Sequence, residues 1–233
     1  MKLSRRLIPA FAMLLVSAVL MSTASYAWFS MRGEVTATGM QVNAVSNSIY
    51  LEIKGANDQD YGATGNANVN EALFPVAHID WDNVADIEEF NNNWYYKFSD
   101  NAGSSAATQN ATTHYINAFD GYVATTTYQV RLHTGSADKA YDLYVSNVTI
   151  PENSGITVVI AGAQGFVELK QSADIQFDVN NVLSDEVTSE AQAIKVYIYI
   201  DGNHEKVYSD NIAALTGAVS FELSVSAEDH QNN

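Results

Sequence analysis

The chain has 233 residues, with 27 acidic side chains against 11 basic ones, a formal charge of −16 and no cysteine. That charge repels nucleic-acid phosphates and anionic lipid headgroups, so neither is an expected partner. The missing thiols exclude thiol catalysis, Cys-ligated zinc, iron–sulfur clusters and disulfide staples, and the length is enough to build a core by apolar packing alone.

The first segment reads as an export signal. Lys2, Arg5 and Arg6 form a basic start, Leu7 to Leu20 is an apolar run, and Ser25 and Ala27 put small residues at −3 and −1 of a cleavage site before Trp28. The run is short of the ~20 residues that span a bilayer, so membrane contact is expected only through an uncleaved signal segment. Cleavage removes three basic residues and no acidic one, which takes the formal charge from −16 to −19. The expected partner at this stage is a signal peptidase, and the expected location is outside the cell.

The mature chain would open on two large rings, Trp28 and Phe29, which are costly to leave in water. Between Val35 and Ala44 the apolar phase switches. Val35 and Ala37 share one register, Met40, Val42 and Ala44 the other, and Thr38-Gly39 lies at the break, as a bulge or bend would. Residues 28–39 therefore read as an arm carrying Trp28, Phe29, Met31, Val35, Ala37 and Gly39. Residues 40–233 read as one β domain complete without it, with an irregular insertion at about 56–118.

Period-2 alternation marks the body. It runs through Ile49, Leu51 and Ile53, through Tyr128, Val130 and Leu132, and through Leu143 and Val145. After the apolar run Ile156 to Ile160 it resumes at Ile175, Phe177 and Val179, then at Val196, Ile198 and Ile200, and finally from Val219 to Val225. Asn-, Asp- and Gly-rich breaks separate these segments, and Asp201-Gly-Asn-His-Glu reads as the loop of a hairpin joining YIYI to KVYS. Seven to nine such strands imply an all-β, antiparallel sandwich or jelly roll. In the insertion, Asp80 to Phe90 has helical spacing, Trp94 to Phe98 reads as a strand and residues 99–113 as a loop; a helical turn is expected near Ser209 to Leu215.

No catalytic constellation emerges. The five histidines never pair at H-x-x-x-H spacing, and His204-Glu205 stands in a turn with Tyr208 where a second histidine would be needed. There is no G-x-S-x-G, S-x-x-K or Walker loop. Asp58 and Asp60 with Gly62, and Asp80 and Asp82 with Asp86, could offer oxygens to calcium, but neither group fits the D-x-D-x-D-G loop, so no cofactor is expected. Tyr197 and Tyr199 share one strand face. That face either binds a sugar or another subunit, or is covered by packing.

The joint of signal and mature start resembles the TasA and camelysin group, exported proteins of Gram-positive bacteria processed by a SipW-type signal peptidase. The resemblance rests on the site ending in Ala27, the aromatic pair Trp28-Phe29 and the Val35-Thr-Ala-Thr-Gly39-Met40-Gln-Val42 stretch, with an acidic, Cys-free, all-β layout. The N-L-x-P-G-D turn of TasA has no counterpart. The resemblance implies a jelly-roll subunit of a biofilm-matrix fibre whose N-terminal strand inserts into a neighbour. It also implies a camelysin-like protease activity, for which no zinc-ligand set can be matched. The expectation is a non-enzymatic, secreted filament subunit that polymerises with itself head to tail; the alternative is a monomeric cell-surface module binding carbohydrate or another extracellular ligand.

Overall fold

A computed structural model of the chain describes residues 33–37, 40–42, 49–67, 69–78, 93–96, 115–208, 215 and 217–230. Chain order gives β1 (Gly33–Ala37), β2 (Met40–Val42), β3 (Leu51–Lys54), β4 (Thr64–Gly65), β5 (Val69–Leu73), β6 (Val76–His78) and β7 (Trp94–Tyr96). There follow β8 (Val123–Leu132), β9 (Lys139–Thr149), β10 (Ile156–Ala161), β11 (Phe166–Leu169) and β12 (Ala173–Asp174). A 3-10 turn (Val179–Asn181) then leads into β13 (Val182–Thr188), β14 (Gln192–Ile200) and β15 (Gly217–Ser226). The fold is all-β. Among the described residues no helix is long and apolar enough to cross a membrane.

Two large sheets carry the structure. One runs β12-β9-β15-β1-β5, with β13 also on β9, and β2 joining β15 to β4. The other runs β11-β10-β14-β8-β3, and β6 and β7 form a separate pair. The pairings within the five-stranded sheet are antiparallel. In the larger sheet β1 and β2 run parallel to β15.

The main core draws on both sheets. Leu143, Val145, Val219 and Phe221 from one cluster with Leu51, Ile53, Val130, Val196 and Ile198 from the other. Tyr128 meets Phe221 edge to face at 5.8 Å across this core. The reverse face of the five-stranded sheet is buried as well, where Val159, Tyr197 and Tyr199 pack with Val76, Trp94 and Ile116. Burial on both faces explains the unbroken apolar run of β10, in which all six residues are buried, and the VYIYI of β14.

Several expected elements differ. The alternation at Ile175, Phe177 and Val179 is not a strand. β12 ends at Asp174, β13 takes the place beside β9, and Asp178 caps the 3-10 turn by accepting from the Asn180 amide at 2.9 Å. Val179 is left 53% exposed. The hairpin after YIYI does not form either: both edges of β14 are already paired, with β10 and β8, so the chain turns away. Successive turn bonds from His204 N to Asp201 O and from Val207 N to His204 O carry it off.

The insertion is less irregular than its composition implies. It supplies β4 to β7, and β5 belongs to the larger sheet. β5 escapes the period-2 test because Val69 and Leu73 are buried while Asn70 and Glu71 between them face out. The expected helix at 80–90, residues 97–113 and most of the turn at 209–215 lie outside the described residues.

Candidate functional site

Of the residues expected to matter, Val35 and Ala37 are the ones the structure places. Ser25, Ala27, Trp28, Phe29, Met31 and Gly39 lie outside the described residues. Val35 and Ala37 sit in β1, both fully buried in the main core. A strand buried on one face presents every second residue to that core, and these two are two apart.

β1 is an interior strand. On one side it runs parallel to β15, with Val35, Thr36 and Ala37 opposite Gly217, Ala218 and Val219. On the other it runs antiparallel to β5, from Gly33 opposite Leu73 to Ala37 opposite Val69. The body without residues 28–39 is thus not complete: β15 and β5 would both lose their ladder along this stretch. Opposite Val35, Gly217 also packs closely under the chain after β9, since a Cβ there would run into the ring of Pro151.

The phase switch has a geometric counterpart. Ala37 faces Val219 and Gln41 faces Glu222, so four steps along the N-terminal segment match three along β15. One extra residue on one strand is the definition of a bulge, and it returns Met40 and Val42 to the core face that Val35 and Ala37 occupy. β1 and β2 lie in line along one edge of β15.

The tyrosine face is covered. Tyr197 and Tyr199 are 3% and 2% exposed, with Trp94 edge to face on Tyr199 at 5.3 Å and Phe119 on Tyr197 at 5.9 Å. Burial first, and then the nearby charges of Glu168 and Asp201, push the Tyr199 hydroxyl well above its ordinary pKa. These rings are core, not a ligand platform.

Asp58 is committed to its own loop: its Oδ2 accepts from the amides of Gly55 and Asn66, both at 2.8 Å. Burial raises its pKa, but these amide bonds outweigh it and hold the carboxyl below its ordinary value. Among the described residues no three His, Cys, Asp or Glu side chains converge as a metal site. Asp80, Asp82 and Asp86 lie outside the described residues. His204 stands in a turn, with the Lys206 amide donating to its Nδ1 at 3.2 Å.

Two charged groups have a burial that alternation does not announce. Glu52, on the outward phase of β3, is only 8% exposed. Arg131 Nη2 lies 3.0 Å and His133 Nδ1 2.6 Å from its two oxygens. Asp142, inside β9, is fully buried with φ at +50°. Its Oδ2 takes the backbone amide of His230 at 3.1 Å and lies 2.9 Å from the ring Nδ1, so the C-terminal segment is tied to the sheet. The sequence signal for Asp142 was an acid within an apolar strand, which reads as a solvent-facing residue until the strand is known to lie between two others.

Compared with family models, with curated proteins and with solved structures, the chain matches none of them.

Proposed function

We propose that the chain is a secreted structural subunit of a cell-surface or matrix filament, built as a jelly-roll-like sandwich and joined copy to copy by exchange of the N-terminal strand. The observation that carries this reading is the position of β1, the first strand of the described chain, in an interior slot between β15 and β5. A strand near a chain end can leave such a slot without threading, and the vacated slot offers two unpaired edges and an apolar floor. That is the acceptor geometry of strand addition. Head-to-tail repetition of one such contact is open-ended and gives a filament. The resemblance of the N-terminal joint to the TasA and camelysin group supports the same reading, as does the lack of a catalytic constellation in the sequence.

Because the chain has no cysteine, a designed pair reports the contact without ambiguity. Thr36 faces Asn70 across the β1–β5 ladder. Under oxidation, a Thr36→Cys/Asn70→Cys variant gives a ladder of covalent oligomers if the strand is exchanged. Filaments whose subunits cross-link only within themselves refute strand exchange. Removing residues 28–34 should abolish filaments in electron micrographs; filaments that form as before refute the role of the arm.

A further inference from the structure

Three turns meet around one cavity: residues 151–155 between β9 and β10, residues 170–172 between β11 and β12, and residues 201–206 after β14. They are tied to one another. Asp201 N donates to Gly155 O at 2.7 Å, and Ser172 Oγ both accepts from Ile150 N and donates to Ile150 O. Ser154 Oγ donates to Pro151 O at 2.7 Å. Gly155 has φ at +66°, and a Cβ there would run into Val207, so the first and third turns are in contact. Loops locked in this way form a preorganised wall, and the half-open space they border is about 480 Å³, within the range of small-ligand sites.

The groups left for a ligand are those the turns do not use. The two serine hydroxyls are consumed by the backbone. The side chains of Glu152, Asn153 and Gln171 line the cavity with no hydrogen-bond partner among the described residues. His204 accepts through Nδ1, which leaves its proton on Nε2 as a donor. Two amides and a carboxylate around one cavity give paired donors and acceptors, the arrangement that reads vicinal hydroxyls. Lys170 is the cation that lines the cavity, and it is held 3.3 Å from Glu168 and 3.8 Å from Asp201. With Glu152 and the Lys206–Glu205 pair at 3.4 Å added, two ammoniums stand against four carboxylates, a net negative field that disfavours sugar acids and phosphates. Apart from His204, no described lining residue is aromatic, so recognition is by hydrogen bonds rather than stacking.

We propose that this cavity binds a neutral sugar unit, a hexose or N-acetylhexosamine. The proposal is independent of the filament reading, since no residue of β1 touches the site. The test is titration of the isotope-labelled chain with glucose, galactose, N-acetylglucosamine and glucuronate, read through backbone amide shifts. It is run beside an Asn153→Gly/Gln171→Ala variant; Asn153 has φ at +55°, which glycine tolerates. Glu152→Ala, at an exposed position, is the second variant. At least one neutral sugar is expected to shift amides at 152–155, 170–172 and 204 while glucuronate does not. Each variant should weaken binding by about tenfold or more, corresponding to the loss of roughly one hydrogen-bonded contact. The proposal is overturned if no neutral sugar moves these amides at millimolar concentration, if glucuronate binds as tightly, or if both variants bind unchanged.

Discussion

Val35→Ala tests whether the slot of β1 contributes to holding the domain together. Val35 is fully buried between two ladders. Truncation removes two methyl-sized groups, a transfer loss of about 1.6 kcal/mol. The flanking ladders keep the backbone from collapsing into the void, so a cavity term raises the total to about 2–3 kcal/mol. For a chain of this length, that lowers the melting temperature by about 5–10 °C. The assay is thermal and urea unfolding of the purified chain, followed by circular dichroism. Val179→Ala is the control, because Val179 is 53% exposed and its truncation should stay within about 0.5 kcal/mol. If the slot is filled from a neighbouring copy, the Val35→Ala loss depends on protein concentration, since association then contributes to stability. A Val35→Ala effect as small as that of the control refutes the reasoning, because it would mean that β1 adds nothing where it lies.

Burial alone would raise the pKa of Glu52, but the hydrogen bonds and charges of His133 and Arg131 outweigh it and leave its carboxyl below the ordinary 4.5. A depressed carboxyl stabilises the fold above the unfolded value and loses that contribution as pH falls through the folded value. The stability gap between wild type and Glu52→Gln should therefore narrow on acidification in urea melts, and a gap independent of pH contradicts the assignment. Gly217→Ala forces a methyl against the Pro151 ring, opposite Val35 of β1, and should cost about 1–3 kcal/mol; a neutral result in the same melts shows that the ring has room to move away. His230→Ala strips the ring from the buried Asp142 carboxylate, whose Oδ1 has no hydrogen-bond partner among the described residues. It should cost about 1–3 kcal/mol and speed amide exchange at residues 227–230, and exchange rates that do not change refute the tie.

The parts of the fold legible in the sequence are those where a strand has one buried face. β15 alternates from Val219 to Val225, and Val219, Phe221, Leu223 and Val225 are all buried. The same rule misleads at Ile175, Phe177 and Val179, whose spacing is correct but whose neighbouring edge is occupied by β13. Pairing is a tertiary property, and no local pattern records which edges are free. β5 is missed for the opposite reason: its two core residues are four apart, so its polar centre reads as loop. The candidate ligand cavity was invisible because its residues come from three turns. Pro151-Glu-Asn-Ser-Gly was legible as a turn, but its convergence with Lys170, Gln171 and His204 depends on β10, β11 and β14 being neighbours.

The break in phase at Thr38-Gly39 was legible, and its physical meaning follows from the register on either side. A continuous strand from Gly33 to Val42 would be bound to β15 as one unit, and its first half could not leave without loosening the second. The extra residue between Ala37 and Gln41 divides it into two cooperative pieces on the same edge of β15. Met40 and Val42 keep their own core contacts and their own ladder with β4, so β2 anchors the chain whether or not β1 is in place. The cost of releasing β1 is then confined to Val35, Ala37 and five residues of ladder. On the proposed reading, an identical strand from a neighbouring copy would replace those contacts one for one, which would leave exchange close to energetically neutral. A division of this kind is what the proposed exchange requires: a strand that can leave its slot while the next one, β2, still holds the chain to β15 and β4.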